Sequence, residues 1–258
     1  MYIVAIVCYP FRFICQDFSY YIDRVLIYMH YIWAKGIIKC LGVNVRASYD
    51  VYDGETLRDV IKMNGAILVS NHPGTLDALI VHMGLPVYSL KTVFKWNLLY
   101  QPPFIGILML LHRHIAVFKQ DSILRRCLNV DFISYFNQRG LEILKQYKDY
   151  SDCDCLLIFP EGSRHEPTMD EPVNKFHTGA FHLAEYTRCP IIPVCIHGSN
   201  KVMNKKSFIP DNRMVKVHFD KPIYMHDRLG NKQFTINELS QEVRLRIRRL
   251  YEEMDKSG

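Results

Sequence analysis

His72 and Asp77, five positions apart in Asn71-His72-Pro73-Gly74-Thr75-Leu76-Asp77, form the pair in this chain best spaced for chemistry. The branched run Ala66 to Val69 reads as a buried strand, and Pro73-Gly74-Thr75 breaks it before a helical pattern of Leu76, Leu79, Ile80 and His82. His72 therefore falls where strand gives way to helix. In an open α/β sheet ligands bind at such strand ends, and a helix start there offers unpaired N–H groups to developing negative charge. Across that turn Asp77 can accept from one ring nitrogen and leave the other as a base. Two members of a triad are present; if no serine or cysteine completes it, the base acts on a hydroxyl brought by the substrate, which points to acyl transfer to an alcohol. A lone pair at this spacing also arises by coincidence, so other motifs must decide.

The second stretch is Leu156-Leu157-Ile158-Phe159-Pro160-Glu161-Gly162-Ser163-Arg164. A buried strand runs into Phe159-Pro160, which puts Glu161, Gly162 and Arg164 in a loop at the strand's carboxyl end. Arg164 can offer a fork of donors to a phosphate, Gly162 lets backbone approach a ligand, and Glu161 can bind a hydroxyl or orient Arg164. A solvated loop explains Ser163 and Arg164 but has less use for Pro-Glu-Gly.

The elements that must carry these loops read as an α/β domain, with a mostly parallel central sheet flanked by helices. At 258 residues and 49% hydrophobic content, one sizeable core is affordable without a second domain. Glu55 to Met63 has a helical pattern, Val87 to Phe94 reads as a strand, and Ile115 to Phe118 as another, ended by Lys119. Between them Asn97 to Leu111 is nearly all apolar and turns basic at His112, Arg113 and His114. That segment suits an acyl tail beside an anionic head, and equally a buried crossover helix. Ser122 to Arg126 and Phe132 to Tyr147 read as helices; Lys175 to Glu185 reads as a further one. Ile191 to Ile196 reads as a strand broken at Pro193, Val215, Val217 and Phe219 alternate as a strand, and Ile236 to Met254 is amphipathic.

Residues 1–49 differ, and we set them apart from a catalytic domain spanning 50–258. Their apolar runs, Met1 to Phe11 and Val25 to Ala34, fall short of the ~20 residues a spanning helix needs. Dense Tyr, Phe and Trp beside Arg and Lys suit the headgroup boundary, so two helices lying partly in one leaflet are expected, with core helices capping the domain as the alternative. No basic residue precedes the first run and no clear cleavage site follows it, which argues against a signal peptide. The net charge of +6 suits anionic lipid or phosphorylated substrates but lacks the dense clusters of a nucleic-acid binder, so no nucleic-acid partner is expected. Eight cysteines without CxxC spacing read as free thiols on the cytosolic side, and Cys153-Asp154-Cys155 is poor zinc spacing, so no metal is expected.

Two ordered blocks now carry a family resemblance. Asn71 to Asp77 resembles the NHxxxxD block, and Phe159 to Arg164 the FPEGTR block, of the glycerolipid acyltransferases, the lysophosphatidic acid acyltransferase-like superfamily. Pro103-Phe104-Ile105-Gly106 with Ile115 to Lys119 resembles the second block, where Lys119 stands in place of the usual Arg. Ile191-Ile192-Pro193-Val194 resembles the fourth block, and Lys175 to Phe181 resembles an FKKGAF segment in which His177 and Thr178 replace lysines.

The resemblance implies an acyl transfer from an acyl thioester, acyl-CoA or an acyl carrier protein, to the hydroxyl of a lysophospholipid. It would use no cofactor. His72 would take the proton and Asp77 would orient the ring. Asn71, Glu161, Gly162, Ser163 and Arg164 would serve the substrate, with Lys119 helping to hold a glycerol phosphate headgroup. The implied acceptor is 1-acylglycerol-3-phosphate, giving phosphatidic acid, at a membrane surface with the site on the cytosolic face. Lys119 loses the bidentate fork of Arg. Other acceptors, glycerol-3-phosphate among them, therefore stay open. So does a silent lipid-binding module, and a thioesterase or lipase would need Ser70 as nucleophile.

Overall fold

The computed structural model describes residues 16–50, 54–85, 90–95, 114–117, 155–202, 214–227 and 229–256. In chain order the elements are α1 (Gln16–Cys40), β1 (Asn44–Tyr49), α2 (Leu57–Asn64), β2 (Ala66–Ser70), α3 (Asp77–Gly84), β3 (Leu90–Lys95) and β4 (Ile115–Val117), followed by β5 (Cys155–Ile158), α4 (Gly179–Thr187), β6 (Ile191–His197), α5 (Ser199–Val202), β7 (Met214–Phe219) and α6 (Ile236–Lys256). The chain divides into two compact units, residues 1–30 with 91–151 and residues 31–90 with 152–258.

In the second unit the sheet runs in the order β1-β7-β6-β2-β5. Every residue of β2 is buried. Such an unbroken apolar run requires a strand on each edge and cover on both faces. Accordingly β2 pairs in parallel with β5, Ala66 opposite Cys155, and with β6, Ile67 opposite Ile191. Their carboxyl ends thus emerge together. β7 runs antiparallel to β6 and parallel to β1, making the sheet mixed but mostly parallel, as expected.

The core is continuous across these strands, with Leu68, Leu157, Ile192, Val194 and Val217 fully buried beside Ile80 of α3. Each such side chain contributes roughly 1.5–3 kcal/mol. Leu239, Val243 and Ile247, one helical turn apart, bury one stripe of α6, which packs on β6. Around that stripe lie the part-exposed i,i+4 pairs Glu242–Arg246 and Glu252–Arg248. Just ahead of β2, Thr56 and Asp59 form a capping box that starts α2, and Gly65 at φ 64° ends it.

Three expectations need adjustment. Pro193 does not break β6, which runs unbroken through it. Its carbonyl accepts from the N–H of Asp220, one residue past the end of β7, so the missing donor falls where the antiparallel ladder finishes. Residues 175–178 are not helical and α4 begins at Gly179, because the N–H of His177 donates to Pro160 O and ties this stretch to the loop after β5. In the first unit, β3 and β4 pair in parallel, Val93 opposite Ile115. There His114 is buried and its Nδ1 accepts from Thr92 N at 2.9 Å. A ring nitrogen that accepts carries no proton, so this imidazole is neutral rather than part of a basic strand end.

Of the two N-terminal helices expected, the run Val25 to Ala34 lies within α1, and Met1 to Phe11 lies outside the described residues. Lys119, the apolar stretch from Asn97 to Leu111, and the helices expected at Ser122 to Arg126 and Phe132 to Tyr147 also lie outside them. No helix among the described residues is long and apolar enough to cross a membrane.

Candidate active site

The site grows from the carboxyl end of β2. Asn71, the first residue past the strand, is buried, its Nδ2 donating to Ile196 O at 2.9 Å and its Oδ1 accepting from Ile196 N at 2.8 Å. Both halves of the amide are thereby committed to β6, and Asn71 fixes the base of the turn instead of facing outward. Each buried bond of this kind contributes on the order of 1 kcal/mol, and losing one partner costs more.

His72 follows, and its Nδ1 stands 2.7 Å from Asp77 Oδ2. The same oxygen accepts from the N–H of Gly74 at 2.8 Å. Asp77 is fully buried, whereas the His72 side chain keeps 23% exposure. The carboxylate is therefore an inward anchor, and with Nδ1 engaged on it Nε2 is the nitrogen left to a substrate. Gly74 is required for this turn, because a Cβ there would lie 2.6 Å from Ser199 Oγ and 2.8 Å from Ser199 backbone atoms.

The loop after β5 closes over the same turn. Glu161 is buried and its Oε1 accepts from the backbone N–H of His72 at 3.0 Å. Burial pushes its carboxyl above the ordinary range, and the bond from His72 N partly offsets this. Glu161 thus holds the backbone at His72. Gly162 sits at φ 66°, in the left-handed region, with the His177 ring packed where a Cβ would go. Ser163 and Arg164 are exposed, and Arg164 Nη1 donates to Thr75 Oγ1 at 2.6 Å, inside the His72 turn. A second tie comes from His165, whose N–H donates to His72 O at 3.0 Å.

Phe159 stacks on the His72 ring, with centroids 4.2 Å apart and planes 22° from parallel. In the sequence Phe159 reads as part of the chain break and of the FPEGTR-like block with no contact to His72 signalled, and Gly74, Thr75 and His165 are not singled out as supports of the His72 turn. The Gly74 requirement was signalled by its place in a tight turn; the stack had no local signal. Ser70 is fully buried and its Oγ donates to Asn71 O at 3.0 Å, so it is not presented as a nucleophile. Among the described residues no cluster of His, Cys, Asp or Glu is placed to hold a metal ion.

The arrangement is an oriented, part-exposed imidazole just past the carboxyl end of β2, with an exposed guanidinium held on the same turn. It can accept a proton from a hydroxyl and offer a cation to an anionic group. A family model described as Acyltransferase matches residues 49–197. A 1-acyl-sn-glycerol-3-phosphate acyltransferase of Saccharomyces cerevisiae is 30% identical over 178 residues, covering 69% of this chain and 52% of that protein. The protein of the same name in Escherichia coli is 26% identical over 198 residues, covering 77% of this chain and 71% of its own length. The chain thus spans about half the length of the yeast relative. The crystal structure of the 1-acyl-sn-glycerophosphate (LPA) acyltransferase from Thermotoga maritima superposes with a TM-score of 0.61 at 19% identity, over 93% of this chain and 82% of that one, a likeness of fold.

Proposed function

Since the chain belongs to the Acyltransferase family, we propose that it transfers an acyl group from an acyl thioester to the free hydroxyl of a lysophospholipid, with 1-acylglycerol-3-phosphate as acceptor and phosphatidic acid as product. The observation that carries this reading is the His72–Asp77 pair, a buried carboxylate 2.7 Å from Nδ1 of a part-exposed ring. The names of the yeast and E. coli relatives support the choice of acceptor.

In the reaction Nε2 of His72 takes the hydroxyl proton as the acceptor oxygen attacks the thioester carbonyl. Collapse of the tetrahedral intermediate breaks the C–S bond, and the departing thiolate takes the proton back from the imidazolium. No acyl-enzyme is formed. Asp77 keeps Nδ1 protonated and stabilises the ring while it is charged. Arg164, which donates to the Thr75 hydroxyl, supplies the cation that meets the acceptor's phosphate. The donor is acyl-CoA or an acyl carrier protein, no cofactor takes part, and the protein works at a membrane surface with its site on the cytosolic face.

The test is turnover of labelled acyl-CoA by the full chain on vesicles, across a panel of lysophospholipid acceptors. His72→Ala should lower kcat by at least about 10³-fold while vesicle binding is retained. Near wild-type turnover in that variant removes the base assignment, and preference for a zwitterionic acceptor removes the lysophosphatidic acid assignment.

A further inference from the structure

We infer that Phe159 is a positioning residue for the base, its π face fixing the plane of the His72 ring and stabilising the imidazolium formed as the acceptor hydroxyl loses its proton. The inference rests on His72 as the base and goes beyond it by giving a role to an aromatic side chain outside the His72–Asp77 pair.

Three observations carry it. First, the rings lie face to face at 4.2 Å, well within the ~6 Å over which a cation is attracted by an aromatic quadrupole. Second, Phe159 is partly buried and packs against the hydrophobic core, so its place is set by the fold before any substrate arrives. Third, the polar contacts of His72 come from other directions. Asp77, from α3, acts in the ring plane on Nδ1, while Glu161 and His165, from the loop after β5, bind only its backbone N–H and C=O. Arg164 is held on Thr75. The carboxylate therefore fixes how the ring is turned within its plane, and Phe159 fixes the plane itself.

The energetic logic is differential. A neutral imidazole gains little from the quadrupole of a benzene ring, whereas an imidazolium gains more, and the charge exists only once the proton has moved. A contact that strengthens toward the transition state raises kcat rather than lowering KM.

The experiment replaces Phe159 in the full chain with 4-fluoro-, 3,5-difluoro- and 3,4,5-trifluorophenylalanine, which drain the π face with little change in shape, alongside Phe159→Tyr and Phe159→Leu. With lysophosphatidic acid and acyl-CoA, kcat should fall stepwise with fluorination, by about tenfold at the trifluoro ring, with KM unchanged. Phe159→Tyr should keep most activity and Phe159→Leu should lose about tenfold in kcat. A trifluoro variant that turns over like wild type overturns the inference, and the fluorinated series keeps that outcome readable even if Phe159→Leu folds poorly. His72→Ala run in parallel separates the two readings. Activity retained there sinks the base assignment, whereas loss there with a flat fluorine series sinks only the role of Phe159.

Discussion

Among the described residues three histidines stand within 3.4 Å of an aspartate, His72, His197 and His218, and the first two make an instructive contrast. His72 and Asp77 lie five residues apart at 2.7 Å. His197, at the end of β6, reaches Asp255 near the end of α6, 58 residues on, at 3.2 Å. Both imidazoles also touch an aromatic ring, Phe159 at 22° and Tyr251 at 58°. The carboxylates differ most: Asp77 is fully buried and Asp255 is 60% exposed. A buried carboxylate with a second donor on the same oxygen cannot swing away, and its field on the ring is little screened; a solvated one at a helix end is screened and mobile. Contact between the right residue types is thus a weak sign of chemistry. Burial of the carboxylate and an open face on the ring are what distinguish the site.

That comparison can be broken at the carboxylates. Asp77→Asn keeps an oxygen for Gly74 N–H and His72 Nδ1–H but removes the charge that supports the imidazolium, so kcat should fall by roughly 10²–10⁴. Asp255→Asn should leave kcat within about twofold and cost at most about 1 kcal/mol of stability, as surface pairs do. Equal losses in steady-state assays of the two variants would erase the distinction.

The turn that holds Asp77 offers a sharper probe. Gly74→Ala puts a Cβ within 2.8 Å of Ser199 backbone atoms, and backbone cannot step aside as a side chain would. The turn must shift, the Gly74–Asp77 bond with it, and kcat should drop about hundredfold. Ser199→Gly in the same chain removes only the Oγ contact and should not rescue it. Full rescue would show that the backbone contact is harmless.

The smallest effect concerns stability rather than turnover. Burial raises the Glu161 carboxyl above its ordinary 4.5, so the folded protein holds that proton more tightly than the unfolded chain does. The sign follows: this contribution to stability is complete below about 4.5 and is lost as pH rises through the raised folded value. Glu161→Gln keeps an acceptor for His72 N–H without a charge, and its melting temperature should fall less than wild type's as pH rises from 4.5 toward neutrality. Parallel melting curves for the two proteins would show that the buried charge is not what sets that slope.

Some of this was written locally in the chain. The run Ala66 to Val69 reads as a buried strand because all of its residues are apolar, and β2, which extends to Ser70, is buried throughout. The helical pattern read over Glu55 to Met63 answers to α2, whose capping box of Thr56 with Asp59 is a contact between near neighbours. His72 and Asp77 pair for the same reason, since a turn and one helical turn bring them together whatever surrounds them. Pro193 misled because its effect depends on which strand edge its nitrogen faces, and that is a property of the sheet.

The sequence alone determined the His72–Asp77 pair and the strands that end beside it, because short separations and periodic burial leave few geometries open. Only the tertiary structure decided who supports that pair. Asn71 finds Ile196 across 125 residues, Glu161 turns inward to the backbone of His72 across 89, and Phe159 lies flat on its ring. These contacts depend on β2 lying between β5 and β6, and that order is set by how the whole chain buries its apolar faces.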